Sequence, residues 1–316
     1  MKAAIGGYFE LEIPRAKPFI YAGALKYQSA RAAFLALLRT SKPRRVWMPY
    51  YICDAMLLPV RLFGAKVCFY SLDEQLGIAN DVTLKRDDIL LYVNYFGVSL
   101  EQVEKVLKRF DPLQVVLDFS QSFFVGPQSC LATIYSPRKF FGVPDGGIIF
   151  TELPLCTPEI RDTSSVGRMQ HLIKRLADSP DFGYADYQYS EASFNNVEPR
   201  QMSSLTNRLL SSIDFDSAQA QRNKNFLTLH QELGTTNRLS LVAEPNGPLC
   251  YPYFSTNSNI RNKLNSQRVF TPTYWVDVLS RINNDCLESD LVNFILPLPC
   301  DQRYSLSDME QILSSF

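Results

Sequence analysis

Histidine is almost absent: the chain has two, His171 and His230. A histidine-based metal site or a Ser-His-Asp triad is therefore not expected, and no metal is assigned. Net charge is absent as well. Thirty-two Lys and Arg balance 32 Asp and Glu, which leaves no electrostatic footprint for nucleic acid or for an anionic membrane. No apolar run approaches the length of a membrane span. The opening MKAAIGGYFELEIPR has no apolar core before its first acidic residues, so no signal peptide is expected. The cysteines (Cys53, Cys68, Cys130, Cys156, Cys250, Cys286 and Cys300) are odd in number and show no CxxC spacing. Most lie in apolar runs and read as reduced core residues of a cytoplasmic protein. Internal repeats and low-complexity segments are also lacking.

What is present is core material. Hydrophobic residues make up 46% of the 316, with 21 Phe and 16 Tyr, enough for one large domain and a smaller one, or for two domains. Residues 1–20 read as an arm, with a turn and short strand at Ile5-Gly6-Gly7-Tyr8-Phe9. Residues 21–235 read as a large domain and 236–316 as a small α+β domain. SARAAFLALLRT is a helix with Ser29 at its N-cap, and its free N–H groups could receive an anion. Strands are expected in RRVWMPYY, AKVCFYSLD, DDILLYVNYFG and LQVVLDFS. Helices are expected in ICDAMLLPVRLFG and in SLEQVEKVLKRF, the latter with Ser99 at its cap. This alternation predicts a mostly parallel sheet covered by helices, with ligands at the carboxyl ends of its strands. Asn94, Asp118 and Ser136–Lys139 fall at such ends.

Further on, Ser164–Leu176 is read as a helix, and Tyr184, Tyr187 and Tyr189 as part of a loop. A long helical run is expected from Met202 to about Leu233. In the last segment LSLVAEP, LCYPYFS and VNFILPLP read as strands. NSNIRNKLNSQ and SLSDMEQILSSF read as helices, the last capped by Ser307.

The most informative stretch is LATIYSPRKFFGVPDGGIIF, residues 131–150. It reads as a strand, a tight loop carrying Lys139, and a second strand after Asp145-Gly146-Gly147. An amine displayed this way suits Schiff-base chemistry, with the Ser136 hydroxyl close by. A plain hairpin with two solvated charges, Arg138 and Lys139, would look the same in isolation. The company is what distinguishes them: a helix start at Ser29-Ala30-Arg31, an apolar strand ending in Asp118 with Gln121 after it, the Lys139 loop, and a Gly pair. A pyridoxal phosphate site needs these parts: a lysine, a carboxylate for the ring nitrogen, and N–H groups and hydroxyls for the phosphate.

In this order the motifs resemble the DegT-type (DegT/DnrJ/StrS) sugar aminotransferases, a pyridoxal phosphate-dependent family of the aspartate-aminotransferase fold. VVLDFSQSF resembles the family's Glu-Asp-Ala-Ala-Gln/His segment, which implies Asp118 on the pyridine nitrogen and Gln121 on the phenolic oxygen. YSPRKFFGVPDGG is similar to its lysine segment with the later Gly-Gly, and QSARAAFLALL to its phosphate-binding helix start. ILLYVNYFG places Asn94 at a histidine position, and ILPLPCDQRYSLSDMEQI resembles the C-terminal segment.

Departures accompany the likeness. Ala30-Arg31 replaces Gly-Thr, so an arginine stands where a hydroxyl would be. Ile134 takes the place of the phosphate serine, with Ser136 as the nearer substitute. Cys53 aligns with the stacking aromatic, which leaves Tyr50 or Tyr51, and Tyr51 is the candidate. The segment that reaches the partner subunit's site has Arg200, with Asn195 or Asn196 before it, as its nearest match. The chain is also shorter than typical members.

The resemblance implies fold type I: a large three-layer α/β/α domain plus a small C-terminal α+β domain. It implies a homodimeric aminotransferase using pyridoxal 5'-phosphate, a keto-sugar nucleotide and an amino-acid donor. A sugar dehydratase, another pyridoxal phosphate enzyme, or a non-catalytic protein keeping the fold are the alternatives.

Overall fold

Every residue of strands Asp88–Val93, Val115–Asp118 and Ala132–Tyr135 is buried, as fits strands covered by helices on both faces. They lie at the centre of a seven-stranded sheet in a computed structural model that describes residues 5–14, 18–79, 81–241, 243–257, 259–283 and 285–316. Its elements run β1 (Leu25–Tyr27), α1 (Ala30–Ser41), β2 (Arg45–Pro49), α2 (Asp54–Phe63), β3 (Lys66–Tyr70), β4 (Asp88–Val93), α3 (Leu100–Arg109), β5 (Val115–Asp118), β6 (Ala132–Tyr135) and β7 (Gly147–Phe150). The strand order is β1-β7-β6-β5-β4-β2-β3. The pairings β2–β3, β2–β4, β4–β5 and β5–β6 are parallel, while β7 runs antiparallel to both β6 and β1. The expected mostly parallel α/β sheet is therefore present.

Local chemistry sets the helix ends. The Ser29 hydroxyl accepts a hydrogen bond from the Ala32 N–H at 3.2 Å and starts α1. Gly64, at φ 86°, ends α2 in the left-handed conformation. Ser99 stands at the cap of α3, but its hydroxyl donates to the Tyr95 carbonyl instead.

The middle of the chain differs from expectation. The helix expected over 164–176 is two, α4 (Ser165–Arg168) and α5 (Gln170–Ala177), interrupted at Met169. The tyrosine-rich stretch expected as a loop is helix α6 (Tyr184–Ala192). It buries only Ser190, so no apolar stripe announces it. The run from Met202 divides into α7 (Ser204–Leu210) and α8 (Phe215–Leu233), where the Asp214 carboxylate accepts from the Ser217 N–H at 3.0 Å and begins a new helix.

The C-terminal segment contains β8 (Tyr251–Phe254), α9 (Asn259–Ser266), α10 (Leu287–Phe294), β9 (Ile295–Leu298) and α11 (Leu306–Leu313). β8 and β9 pair antiparallel, apart from the large sheet. Phe226 and Leu229 of α8 join Tyr251, Leu264, Leu296 and Met309 in a second core. In LSLVAEP, where Val242 lies outside the described residues, the described residues form no strand: Leu239 N–H donates to the Asn237 side chain, and Arg238 N–H reaches the Phe254 carbonyl. Val292–Phe294 complete α10 rather than β9. Ser305, not Ser307, caps α11, because its N–H and hydroxyl both donate to the Asp308 carboxylate at 2.7 Å. Of the arm, residues 1–4 and 15–17 lie outside the described residues. Ile5, Tyr8 and Phe9 are almost wholly exposed and form no strand.

Candidate active site

Lys139 ends a short 3-10 turn, Pro137–Lys139, directly after β6. Its N–H donates to the Ser136 carbonyl at 3.2 Å, and its side chain lies on the wall of a cavity of about 940 Å³. His171, Tyr184, Tyr187, Arg222 and Tyr274 share that wall. Asp118 stands at the same edge of the sheet, because β5 pairs in parallel with β6 and places Asp118 opposite Ile134. Only 5% exposed, its carboxylate accepts the Ser120 N–H at 2.9 Å.

The start of α1 reaches this edge through the glycine pair. Gly146 N–H donates to the Gln28 carbonyl at 2.8 Å. A Cβ on Gly147 would lie 2.1 Å from the Ser29 carbonyl carbon, so only glycine lets Ser29, Ala30 and Arg31 approach. Asp145 serves this architecture too: it is fully buried and accepts the Ser203 N–H ahead of α7 at 3.1 Å. Burial pushes its carboxyl up, against the hydrogen bonds from Ser203.

Cys53 brings the charges together. Burial pushes its thiol up, Lys139 and Arg31 pull it down, and Asp118 pushes it further up. Tyr51, the candidate stacking ring, belongs to an aromatic cluster. It is wholly buried, 4.7 Å from Trp275 and 5.7 Å from Tyr95 between centroids, and burial drives its phenol well up. Tyr50 stacks on Phe69 at 4.9 Å. Both rings take part in aromatic packing, while Cys53 is the residue between them and helix α2 that senses Lys139 and Asp118.

Gln121 is 1% exposed, and its Oε1 accepts the Phe96 N–H at 2.7 Å. Its Nε2 is buried and has no hydrogen-bond partner. Asn94 is engaged at both ends of its carboxamide: Nδ2 donates to the Ser122 hydroxyl and Oδ1 accepts the Ser99 N–H, each at 2.9 Å. It braces the turn after β4, with one N–H and one lone pair of the carboxamide still free among the described residues. Ser136 is buried at the head of the lysine turn.

A carboxylate missed by sequence reasoning stands at the heart of the charge cluster. Glu191, from α6, pairs with Arg138 and lies 3.8 Å from Arg31. Burial alone would raise its carboxyl, but Arg138, Arg31 and Lys139 together hold it below the usual range. Phe194 lies between the guanidiniums of Arg138 and Arg168, 4.0 and 4.2 Å from its centroid. Arg200 and Asn196 line a different cavity, of about 380 Å³, with Gln28 and Arg168. The Gln28 carboxamide accepts the Arg200 N–H at 2.8 Å and donates to the Glu198 carbonyl at 2.6 Å, fastening that segment beside α1. His171 and Glu191 stand 20 positions apart and farther still from Lys139, so no local signal could have found them.

No protein family matches the chain, and no curated protein matches it in sequence. Solved structures do match. A sugar aminotransferase of Micromonospora echinospora is 14% identical, over 92% of this chain and 86% of its own, with a TM-score of 0.61. A DegT DnrJ EryC1 StrS aminotransferase of Brucella abortus is 15% identical over 92% and 84%, at 0.63. The enzyme DesI, solved in the presence of its TDP-sugar product, is 15% identical over 92% and 79%, at 0.62. The fold is that of the sugar aminotransferases. The sugar-aminotransferase fold spans both cores, and the likeness is one of architecture.

Proposed function

We propose that the protein is a pyridoxal phosphate-dependent aminotransferase of the DegT type. Its substrate is a nucleotide-linked keto sugar, its amine donor an amino acid such as glutamate, and it works as a cytoplasmic homodimer. The observation that carries this reading is the meeting of Lys139, Asp118 and the unpartnered Nε2 of Gln121 at the carboxyl edge of one parallel sheet.

The residues present fit the cofactor. Gln121 offers a buried donor to its phenolic oxygen, and Asp118 a buried carboxylate to its ring nitrogen. The opening of α1 at Ser29, Ala30 and Arg31, with Ser136 beside the lysine turn, offers N–H groups, a cation and a hydroxyl to its phosphate. When bound, the cofactor supplies an electron sink for the carbon that loses its proton. Lys139 then holds and moves that proton at Nζ, which has no hydrogen-bond partner among the described residues. Asp118 keeps the ring-nitrogen proton in place. Helices α5 and α6 line the cavity beside the lysine with His171, Tyr184 and Tyr187. Arg200 and Asn196 extend toward the site of the partner subunit.

Glu191 favours a second reading. Its carboxylate already neutralises Arg31 and Arg138, which suits a protein that keeps the fold without the cofactor. One experiment separates the two. The purified protein is mixed with pyridoxal phosphate, its visible absorbance is recorded, and borohydride reduction is followed by peptide mapping. A band lost on reduction, with the label on Lys139, supports the enzyme. Absence of both band and label leaves the second reading. Turnover of a keto-sugar nucleotide with glutamate then tests the substrate.

A further inference from the structure

Arg222 is the largest of the fully buried side chains, 1% exposed in the middle of α8. It has no carboxylate partner among the described residues. The nearest candidate, Asp301, is engaged by Arg303 through two hydrogen bonds of 2.7 and 2.8 Å. A buried guanidinium is costly, and an apolar side chain of similar volume is often the more stable choice. What Arg222 holds instead is main chain. Nη1 donates to the Pro248 and Leu249 carbonyls at 2.8 and 3.3 Å, and Nη2 to the Phe140 carbonyl at 3.3 Å. Nε donates to Gln302 Oε1 at 2.7 Å, and Gln302 Nε2 donates to the same Phe140 carbonyl at 2.8 Å. The guanidinium also covers the Phe140 ring at 4.5 Å.

Phe140 is the residue after Lys139. The lysine turn is closed from within by the Phe140 and Phe141 N–H groups, which donate to the Pro137 carbonyl at 3.0 and 2.9 Å. From outside it is held at one carbonyl oxygen by two donors, one from α8 and one from the segment after β9. Arg222 itself lies on the wall of the Lys139 cavity.

We infer that Arg222, with Gln302, is a positioning residue for Lys139: it fixes the carbonyl of Phe140 and so the direction from which the Lys139 amine enters the cavity. This rests on the reading of Lys139 as the reacting amine. The device also ties the lysine to the second core, since α8 and the segment around Gln302 both pack there.

The test uses Arg222→Lys and Gln302→Glu. Lysine keeps the charge but not the fork. Glutamate keeps an acceptor for Arg222 and removes the donor to Phe140. Gln302 is only partly buried, so its variant folds even if Arg222→Lys does not. Two readouts are taken on wild type and variants beside the melting temperature. One is the rate at which pyridoxal phosphate and borohydride label Lys139. The other is trace acetylation of Lys139 by acetic anhydride, normalised to exposed lysines such as Lys108. A displaced amine should change both rates about tenfold or more, while the melting temperature of Gln302→Glu stays close to wild type. Wild-type rates at Lys139 in a folded Gln302→Glu variant would overturn the inference. If pyridoxal phosphate labels none of the proteins, the cofactor reading fails, and the acetylation rates alone decide whether Arg222 and Gln302 position the lysine.

Discussion

Gly147 and Ser29 touch backbone to backbone: a Cβ on the glycine would stand 2.2 Å from the serine carbonyl oxygen and 2.3 Å from the next amide nitrogen. The contact joins the end of the lysine hairpin to the start of α1. Gly147→Ala must push apart two main-chain segments, neither of which can rotate away. It should destabilise the protein by about 3 kcal/mol or more in urea unfolding and loosen the anion-receiving end of α1. A wild-type urea midpoint would refute that account.

Lys139→Ala should behave in the opposite way. The side chain faces the cavity and is exposed, so its loss costs the core nothing. The melting temperature should stay within about 2 °C of wild type, while the borohydride-fixed label disappears from the peptide that carries it. Retention of the label at this peptide would remove Lys139 from the site.

Glu191→Gln removes the anion between Arg31 and Arg138 and leaves both guanidiniums for a ligand phosphate. Affinity for pyridoxal phosphate, followed by absorbance titration, should rise about three- to tenfold. A fall in affinity would mean that Glu191 orders the two arginines for the ligand rather than competing with it.

Asp88 sets the acid behaviour of the sheet edge. Burial would raise its carboxyl, yet hydrogen bonds from Arg45, the Lys85 N–H and Trp47 outweigh burial and hold it low. A carboxyl lowered in the folded state stabilises above its unfolded value, near 3.9, and that contribution is lost as pH falls through the folded value. Asp88→Asn should therefore cost about 2 kcal/mol at pH 7 and flatten the decline in stability below about pH 4. Parallel stability curves for the two proteins would exclude Asp88 as a source of acid sensitivity.

The large sheet is legible in the sequence because its strands are short apolar runs between capped helices, a pattern with few other solutions. Lys139 and Asp118 are legible for a related reason: Asp118 closes an apolar run, Lys139 follows another by one tight turn, and parallel pairing brings such ends to one edge. Tyr184–Ala192 is not legible as a helix, since charges rather than an apolar face hold it. The segments of Asn94 and Tyr51 are legible, but the neighbours that hold the two side chains come from parts of the chain that the local sequence does not announce. Ser122 and Ser99 take up the first, Tyr95 and Trp275 the second. Glu191, His171 and Arg222 reach the lysine only through tertiary packing.

The wall formed by α5 and α6 has an origin unlike that of the sheet it faces. Helix α5 buries no residue at all, and α6 one. Ion pairs fasten them: Arg138 to Glu191, Lys174 to Asp186 at 2.6 Å, and Arg268 to Asp181 at 2.7 Å. Ions in solution screen such pairs and leave apolar burial intact. Ionic strength is therefore the variable that separates the two halves of the cavity. Added salt should loosen the wall and raise the dissociation rate of pyridoxal phosphate in stopped-flow absorbance, while the sheet edge that carries Lys139 and Asp118 keeps its shape; a rate independent of salt would count against ion pairing as what holds the wall.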